Sequence, residues 1–204
     1  MSQFLLIRHA SVDGLGERIH GRSPGIGLNE QGKRDAAALA QRLANAGIQA
    51  IVSSPRERAH ETAQALSRHL GLQVVVDHDL DEIDFGEWTG RRFSDLEGSP
   101  DWQRFNHSRE SVSIPNGESM QQTVQRATRA IERVGKLHPA GRIAFVTHAD
   151  WIRTLVSNSL GVPFASILMF PVPTASVVVF EQEQGHSHVV VWNYGELPST
   201  TSQA

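Results

Sequence analysis

The chain has no cysteine among its 204 residues. Disulfides, cysteine-ligated zinc, iron–sulfur clusters and thiol nucleophiles are therefore excluded. It also lacks a long apolar run at its start. Phe4-Leu5-Leu6-Ile7 gives way to Arg8-His9 after four residues, too few for a signal peptide or a spanning helix, so a cytoplasmic protein is expected. There is no surplus of positive charge: 19 Lys and Arg stand against 22 Asp and Glu, a net charge of −3. That balance argues against a broad nucleic-acid or membrane surface and still permits a small basic pocket. Repeats and low-complexity tracts are missing. Hydrophobic residues at 39% and charged residues at 20% exclude a disordered chain and a membrane bundle. What remains is chemistry by His, Asp, Glu, Ser, Thr, Arg and Lys.

At about 150 residues per domain, this length suits one domain with an insertion. The expected limits are residues 1–195, with 77–117 as a lid or insertion and 196–204 as a frayed tail. Phe4 to Ile7 reads as a buried strand, followed by a glycine-rich loop. Asn29 is placed to cap a helix through Ala46, with Gly47 ending it. Ala50-Ile51-Val52 is a second strand. Ser54-Pro55-Arg56-Glu57 has the form of a capping box with proline at the first helical position, opening a helix to Leu70 that Gly71 stops. Leu72 to Val76 is a third strand.

From Asp77 to Gly117 no strong period survives, apart from a short helix around Ser94 to Phe105. Met120, Val124, Ala127, Ile131 and Val134 then mark an amphipathic helix ending near Pro139. Arg142 to Thr147 is a fourth strand and Trp151 to Leu160 a helix. Val162 to Thr174 reads as a loop. Ala175 to Phe180 and Val189 to Trp192 suit a hairpin joined through Gln182 to Gly185. Alternating strands and helices predict an α/β fold: a three-layer α/β/α sandwich with a mostly parallel sheet. Ligands of such sheets sit beyond the carboxyl ends of the strands. That rule selects Arg8-His9, the segment from Ser53 to Arg58, and His148. Two arginines, two histidines and a helix N-terminus in one crevice suit a phosphate.

The same segments carry ordered motifs. Leu6-Ile7-Arg8-His9-Ala10 resembles the Arg-His-Gly opening of the histidine phosphatase superfamily, in its phosphoglycerate-mutase-like branch. Gly21-Arg22, Leu28-Asn29-Glu30-Gln31-Gly32, and Ser53-Ser54-Pro55-Arg56-Glu57-Arg58-Ala59-His60-Glu61-Thr62-Ala63 follow in that family's order. So do Leu80 to Gly90, Gly117-Glu118-Ser119 and Val146-Thr147-His148. The resemblance covers about residues 4 to 160. It implies His9 as the nucleophile that becomes phosphohistidine, Arg8, Arg58 and His148 as the phosphate pocket, and Glu82 as proton donor. Aspartates 77, 79, 81 and 84 are available to raise the Glu82 pKa by like-charge repulsion.

Some positions depart from the family pattern. Ala10 stands where glycine is usual, so that turn cannot need a glycine-only backbone angle. No asparagine precedes Asn29 to help bind phosphate; Arg18, His20 and Arg22 are the candidate substitutes, with Arg22 the best match. Ala149-Asp150 replaces the usual glycine after His148, leaving Asp150 to cap the next helix or face the substrate. Trp88 and Trp102 are the candidates for a substrate wall. Arg18, Arg22, Arg91 and Arg92 are available to a second anionic group. The pair His186 and His188 and the run Asp77-His78-Asp79 both lack further ligands at familiar spacing, so no metal and no cofactor are expected.

The leading expectation is a metal-independent phosphomonoesterase acting on a small phosphorylated metabolite. The first alternative is a cofactor-dependent phosphoglycerate mutase, whose family members resemble longer chains with Glu-Ser-x-Trp-Asn after Arg-His-Gly. The second is a phospholigand-binding protein without turnover. The oligomeric state stays open between monomer and homodimer.

Overall fold

The computed structural model describes residues 1–183 and 186–191. The expected frayed tail, Trp192 and the turn at 184–185 lie outside the described residues, as does the His186 side chain. Six strands form one sheet in the order β3-β2-β4-β1-β5-β6. They are β1 (Ser2–Arg8), β2 (Ala50–Ser53), β3 (Val74–Val76), β4 (Arg142–Thr147), β5 (Val177–Glu183) and β6 (His186–Val191). β3, β2, β4 and β1 run parallel, whereas β5 and β6 are antiparallel additions at the β1 edge. The main helices are α1 (Glu30–Arg42), α2 (Glu57–Leu70), α5 (Met120–Leu137) and α6 (Ala149–Leu160); between them lie two short ones, α3 (Phe93–Leu96) and α4 (Pro100–His107).

Helices cover both faces of the sheet, which explains why the central strands are apolar runs rather than alternations. Phe4, Leu6, Ile143 and Phe145 pack against Ile131 and Val134 of α5 and Trp151 and Leu155 of α6. Leu5, Ile7, Ala144 and Val146 meet Leu39 of α1 and Ala63 and Leu66 of α2 on the opposite face. The expected three-layer α/β sandwich is thus the observed one.

Several boundaries differ from expectation. α1 ends at Arg42, because the next residues tighten into i to i−3 bonds, Ala44 N–H to Gln41 and Ala46 N–H to Leu43. Ser54 does not cap α2: the cap position is Arg56, without a side-chain bond. β5 starts at Val177 rather than Ala175, whose φ of 54° lies outside the strand region. Three residues of β3 form where five were expected. The 162–174 segment contains a 3₁₀ stretch, Phe164–Met169.

The segment 77–117 is structured. Ser99 caps α4 with Pro100 in its first turn, which splits the expected single helix into α3 and α4. Phe85, Trp88, Leu96, Phe105 and Ile114 form a core of their own with Met120 and Phe164. Gly86 makes this closure possible: at φ 45° a Cβ there would lie 2.1 Å from the Pro115 carbonyl.

Candidate active site

The sheet delivers three strand ends side by side. Arg8 pairs in register with Thr147, and Ser53 with Val146. His9, Ser54 and His148 therefore emerge together at the carboxyl edge. The His9 N–H donates to Thr147 O at 2.9 Å and the Ser54 N–H to Val146 O at 2.9 Å, fixing these backbones. Ala10 is absent from the residues with positive φ, so alanine fits where the family pattern has glycine.

His9 is held in one orientation. Its Nδ1 lies 2.8 Å from the Ala10 carbonyl, and a carbonyl can only accept, so Nδ1 carries the proton. Nε2 is left with a lone pair, and Arg58 Nε donates to it at 3.2 Å. Burial first, then the Arg58 and Arg8 charges, hold His9 well below the ordinary imidazole range. The ring is neutral near pH 7, as a nucleophile requires.

Arg58 is fully buried at the start of α2. Its Nη2 donates to Gly21 O at 2.7 Å and to His148 Nδ1 at 3.2 Å, while Nη1 is buried without a partner. His148 is buried, with its ring edge-on to His9 at 5.3 Å between centroids. With Nδ1 accepting from Arg58, its Nε2–H donates to Ser54 Oγ at 2.8 Å. This contact spans 94 residues; the same Oγ, two residues ahead of the cap position of α2, accepts the Arg56 N–H at 3.3 Å. Arg8 Nη1 donates to Val172 O at 2.6 Å, and its Nε is buried and unpartnered. Orphaned guanidinium N–H groups on Arg8 and Arg58 leave donors available to an anion.

Glu82 is buried, and its Oε1 accepts the Ile83 N–H at 2.9 Å. Burial first, then the Asp150 carboxylate, raise its pKa to about 7, against the opposing pull of the Ile83 bond, Arg58 and Arg126. The expected cause, repulsion from aspartates 77, 79, 81 and 84, is corrected by the structure. Asp77 and Asp79 face Arg133 and Arg129, Asp81 pairs with Arg56 at 3.0 Å, and Asp84 lies 3.4 Å from Arg22. Arginines neutralise all four, and the carboxylate that does act on Glu82 arrives from α6.

A cavity of about 570 Å³ joins these groups. Arg8, His9, Arg18, His20, Arg58 and Glu82 line it. Arg22 does not. It turns under Glu82, its Nε donating to the Glu82 carbonyl at 2.8 Å and its Nη2 to Glu118 Oε2 at 3.0 Å. Glu118 also binds Arg126, which donates to the carbonyls of Asp79 and Asp81. The substrate-binding expectation for Arg22 is therefore corrected: the Gly-Arg and Gly-Glu-Ser segments form a clamp beneath the acid. Arg91 and Arg92 also lie off the cavity, whereas Trp102 lines it and Trp88 is buried in the core of the 77–117 segment.

The sequence reading missed Asn106, Arg109 and Arg153, which line the cavity beside Asp150. Arg109 and Asn106 lie in the aperiodic segment. Arg153 stands three residues from Asp150 on α6, and that helical spacing was the available signal. Asp150 accepts from Arg153 Nη1 at 2.8 Å. Burial alone would raise its pKa, but Arg109 and Arg153 outweigh it and hold Asp150 below the ordinary range.

A family model described as the histidine phosphatase superfamily (branch 1) matches residues 4–195, further than the motifs alone reach. A bifunctional protein of Mycobacterium tuberculosis is 34% identical over 182 residues, 88% of this chain and 50% of that protein. The chain thus spans about half the length of that relative. A probable phosphoglycerate mutase of Cronobacter sakazakii is 34% identical over 166 residues, 80% of this chain and 77% of that protein. Among solved structures, a phosphoserine phosphatase variant of Entamoeba histolytica in complex with phosphoserine superimposes with a TM-score of 0.84 at 25% identity, covering 95% of this chain and 97% of that one.

Proposed function

The chain belongs to the histidine phosphatase superfamily, and from that membership we propose that it hydrolyses a small phosphorylated metabolite through a phosphohistidine. One observation carries the reading: His9 presents an unprotonated Nε2 beside Arg58, with a protonatable carboxyl, Glu82, lining the same cavity. In the first step Nε2 attacks phosphorus and the phosphorus–oxygen ester bond breaks. Glu82 gives its proton to the departing alkoxide. In the second, water attacks the phosphohistidine, Glu82 takes its proton, and the phosphorus–nitrogen bond breaks to release phosphate. The phosphoryl oxygens accumulate charge in both steps, and the free donors of Arg8 and Arg58 are suited to receive them. His148 acts through Arg58, holding its guanidinium against His9. No divalent metal takes part in these steps.

Phosphate release from p-nitrophenyl phosphate by the wild-type protein, persisting after exhaustive EDTA treatment, tests the reading. A brief quench should trap acid-labile, base-stable phosphoprotein. Absence of release, or release restored only by added metal, refutes it. A mutase reading draws on the name of the Cronobacter relative. It would be favoured by interconversion of 2- and 3-phosphoglycerate, stimulated by 2,3-bisphosphoglycerate, with negligible phosphate release.

A further inference from the structure

Arg109 is a buried arginine that the steps above do not use. It is 4% exposed, it lies on the lid segment, and it lines the cavity. Three contacts fix its guanidinium. Cζ sits 4.5 Å over the Phe105 ring. Nη2 donates to Asn106 Oδ1 at 3.2 Å, and the Asn106 amide is itself tied to Trp102 O at 3.0 Å. Asp150 Oδ2 lies 3.8 Å from Nη1, near enough for attraction but too far for a hydrogen bond. Nη1 is consequently a buried, charged donor without an acceptor. Such a group is costly to leave unmet, and native proteins rarely do so away from function.

This donor is delivered by other elements than the donors beside His9: Arg109 is fixed by Phe105, Asn106 and Asp150, whereas Arg58, which contacts His9, is fixed by Gly21 and His148. The charge balance points the same way. Arg8, Arg18, Arg58, Arg109 and Arg153 face only two carboxylates, Glu82 and Asp150. With Glu82 protonated to act as the acid, a bound phosphate carrying about two negative charges leaves positive charge unmatched. A cavity of about 570 Å³ is also in the range that holds a whole small molecule rather than a phosphate alone.

We propose that Arg109, held by Asn106 and Phe105, forms a subsite for a second anionic group, of carboxylate type, on the leaving group of the substrate. This rests on the phosphatase reading and adds the substrate class: phosphorylated acids over phosphorylated neutral alcohols. Of the arginines that the sequence offered for such a group, Arg18 lines the cavity and Arg22, Arg91 and Arg92 do not.

The test compares kcat/KM for 3-phosphoglycerate and glycerol 3-phosphate, which differ in a carboxylate against a hydroxymethyl group, alongside p-nitrophenyl phosphate. Wild-type protein should prefer the acid by at least about tenfold, the lower end for a charge-assisted hydrogen bond. Arg109→Gln should collapse that ratio, and Arg109→Lys should restore part of it. A wild-type ratio near one overturns the subsite without any variant. So does an equal loss on all three substrates in Arg109→Gln, which would assign Arg109 to the scissile phosphate or to folding. No phosphate release from p-nitrophenyl phosphate by wild type would overturn the phosphatase reading, and this one with it. Release from that substrate without discrimination between the other two overturns only the subsite.

Discussion

The cavity has two halves that come from different kinds of structure. Its floor, with Arg8, His9 and Arg58 lining it and His148 buried behind Arg58, is set by three adjacent strand ends and one helix start. Its wall, with Trp102, Asn106 and Arg109, is set by a segment that packs on itself and on Ile19, Met120, Phe164 and Ile167, with Arg109 facing Asp150 of α6. The floor is rigid because neighbouring β-strands fix its backbones by ladder hydrogen bonds. The wall is held by packing around Phe105 and Trp88. A fold built this way keeps one reaction while its leaving-group chemistry varies. The difference is testable: changes to the floor should abolish turnover on every substrate, and changes to the wall should redistribute it.

The largest expected effect lies on the floor. His9→Ala should lower kcat on the order of 10⁴-fold or more, the scale for removing a nucleophile. It should also remove the quenched phosphoprotein. Labelled protein persisting in that variant would move the nucleophile elsewhere and end the comparison.

Glu82 stands between the halves. Glu82→Gln should slow alkyl phosphates by about 10²–10⁴-fold, and p-nitrophenyl phosphate much less, because its leaving group needs no proton. The acid must be protonated for the first step, so the alkyl-phosphate rate should fall as pH rises through about 7. That alkaline limb should vanish in the variant. Equal losses on both substrates, with the limb retained, would assign Glu82 to binding.

Much of the floor was legible because short apolar runs that stop abruptly at charged residues leave little freedom: Phe4-Leu5-Leu6-Ile7 before Arg8, and Ile143 to Val146 before His148. The alternation of strands and helices then aligned those stops. Glu82 was legible only through its motif, since five acids stand between positions 77 and 84, and only the fold separates them, by facing the four aspartates with arginines and setting Glu82 in the cavity wall. Ser54 was misread because a Ser-Pro-x-Glu pattern is local, whereas its partner His148 comes from another strand. Arg22 was misread for a related reason: it keeps the family's place next to Gly21, but Glu118 draws it under the acid instead of into the cavity. Asn106 was invisible because α4 is only two turns long, and Arg109 because it stands in the loop just past its end. Arg109 faces Asp150, which reaches it from a helix some forty positions further on.

The clamp beneath Glu82 offers a smaller perturbation that spares both the nucleophile and the wall. Arg22→Leu removes the bond to the Glu82 carbonyl and one partner of Glu118. The acid should stay in place but point less well, and misplacement on the order of 1 Å costs up to about 10²-fold. About a tenfold loss of kcat on alkyl phosphates is expected, with little change in KM and a smaller loss on p-nitrophenyl phosphate. Arg22→Lys, which keeps the charge but not the fork, should recover only part of it. A rise in KM without loss of kcat would return Arg22 to the substrate-binding role.

The smallest expected effect is thermodynamic, and it reads the state of the acid without any substrate. The Glu82 carboxyl titrates at about 7 in the folded protein, against an ordinary value of 4.5. Between those values the folded chain holds a proton that the unfolded chain has released, so raising the pH through this window favours unfolding. Below about pH 4.5 both states are protonated and the group makes no difference. Above pH 7 the full penalty is present, because a charge sits in a site where burial and Asp150 both oppose it. Glutamine occupies nearly the same volume and cannot ionise. Glu82→Gln should therefore gain stability relative to wild type on going from pH 5 to pH 8, by about 1–3 kcal/mol at one unit of pKa per 1.36 kcal/mol. Urea unfolding of both proteins at the two pH values measures it. A difference independent of pH, or one that shrinks at pH 8, would mean that Glu82 ionises in the fold as freely as in the unfolded chain, and the acid's role in the first step would fall with it.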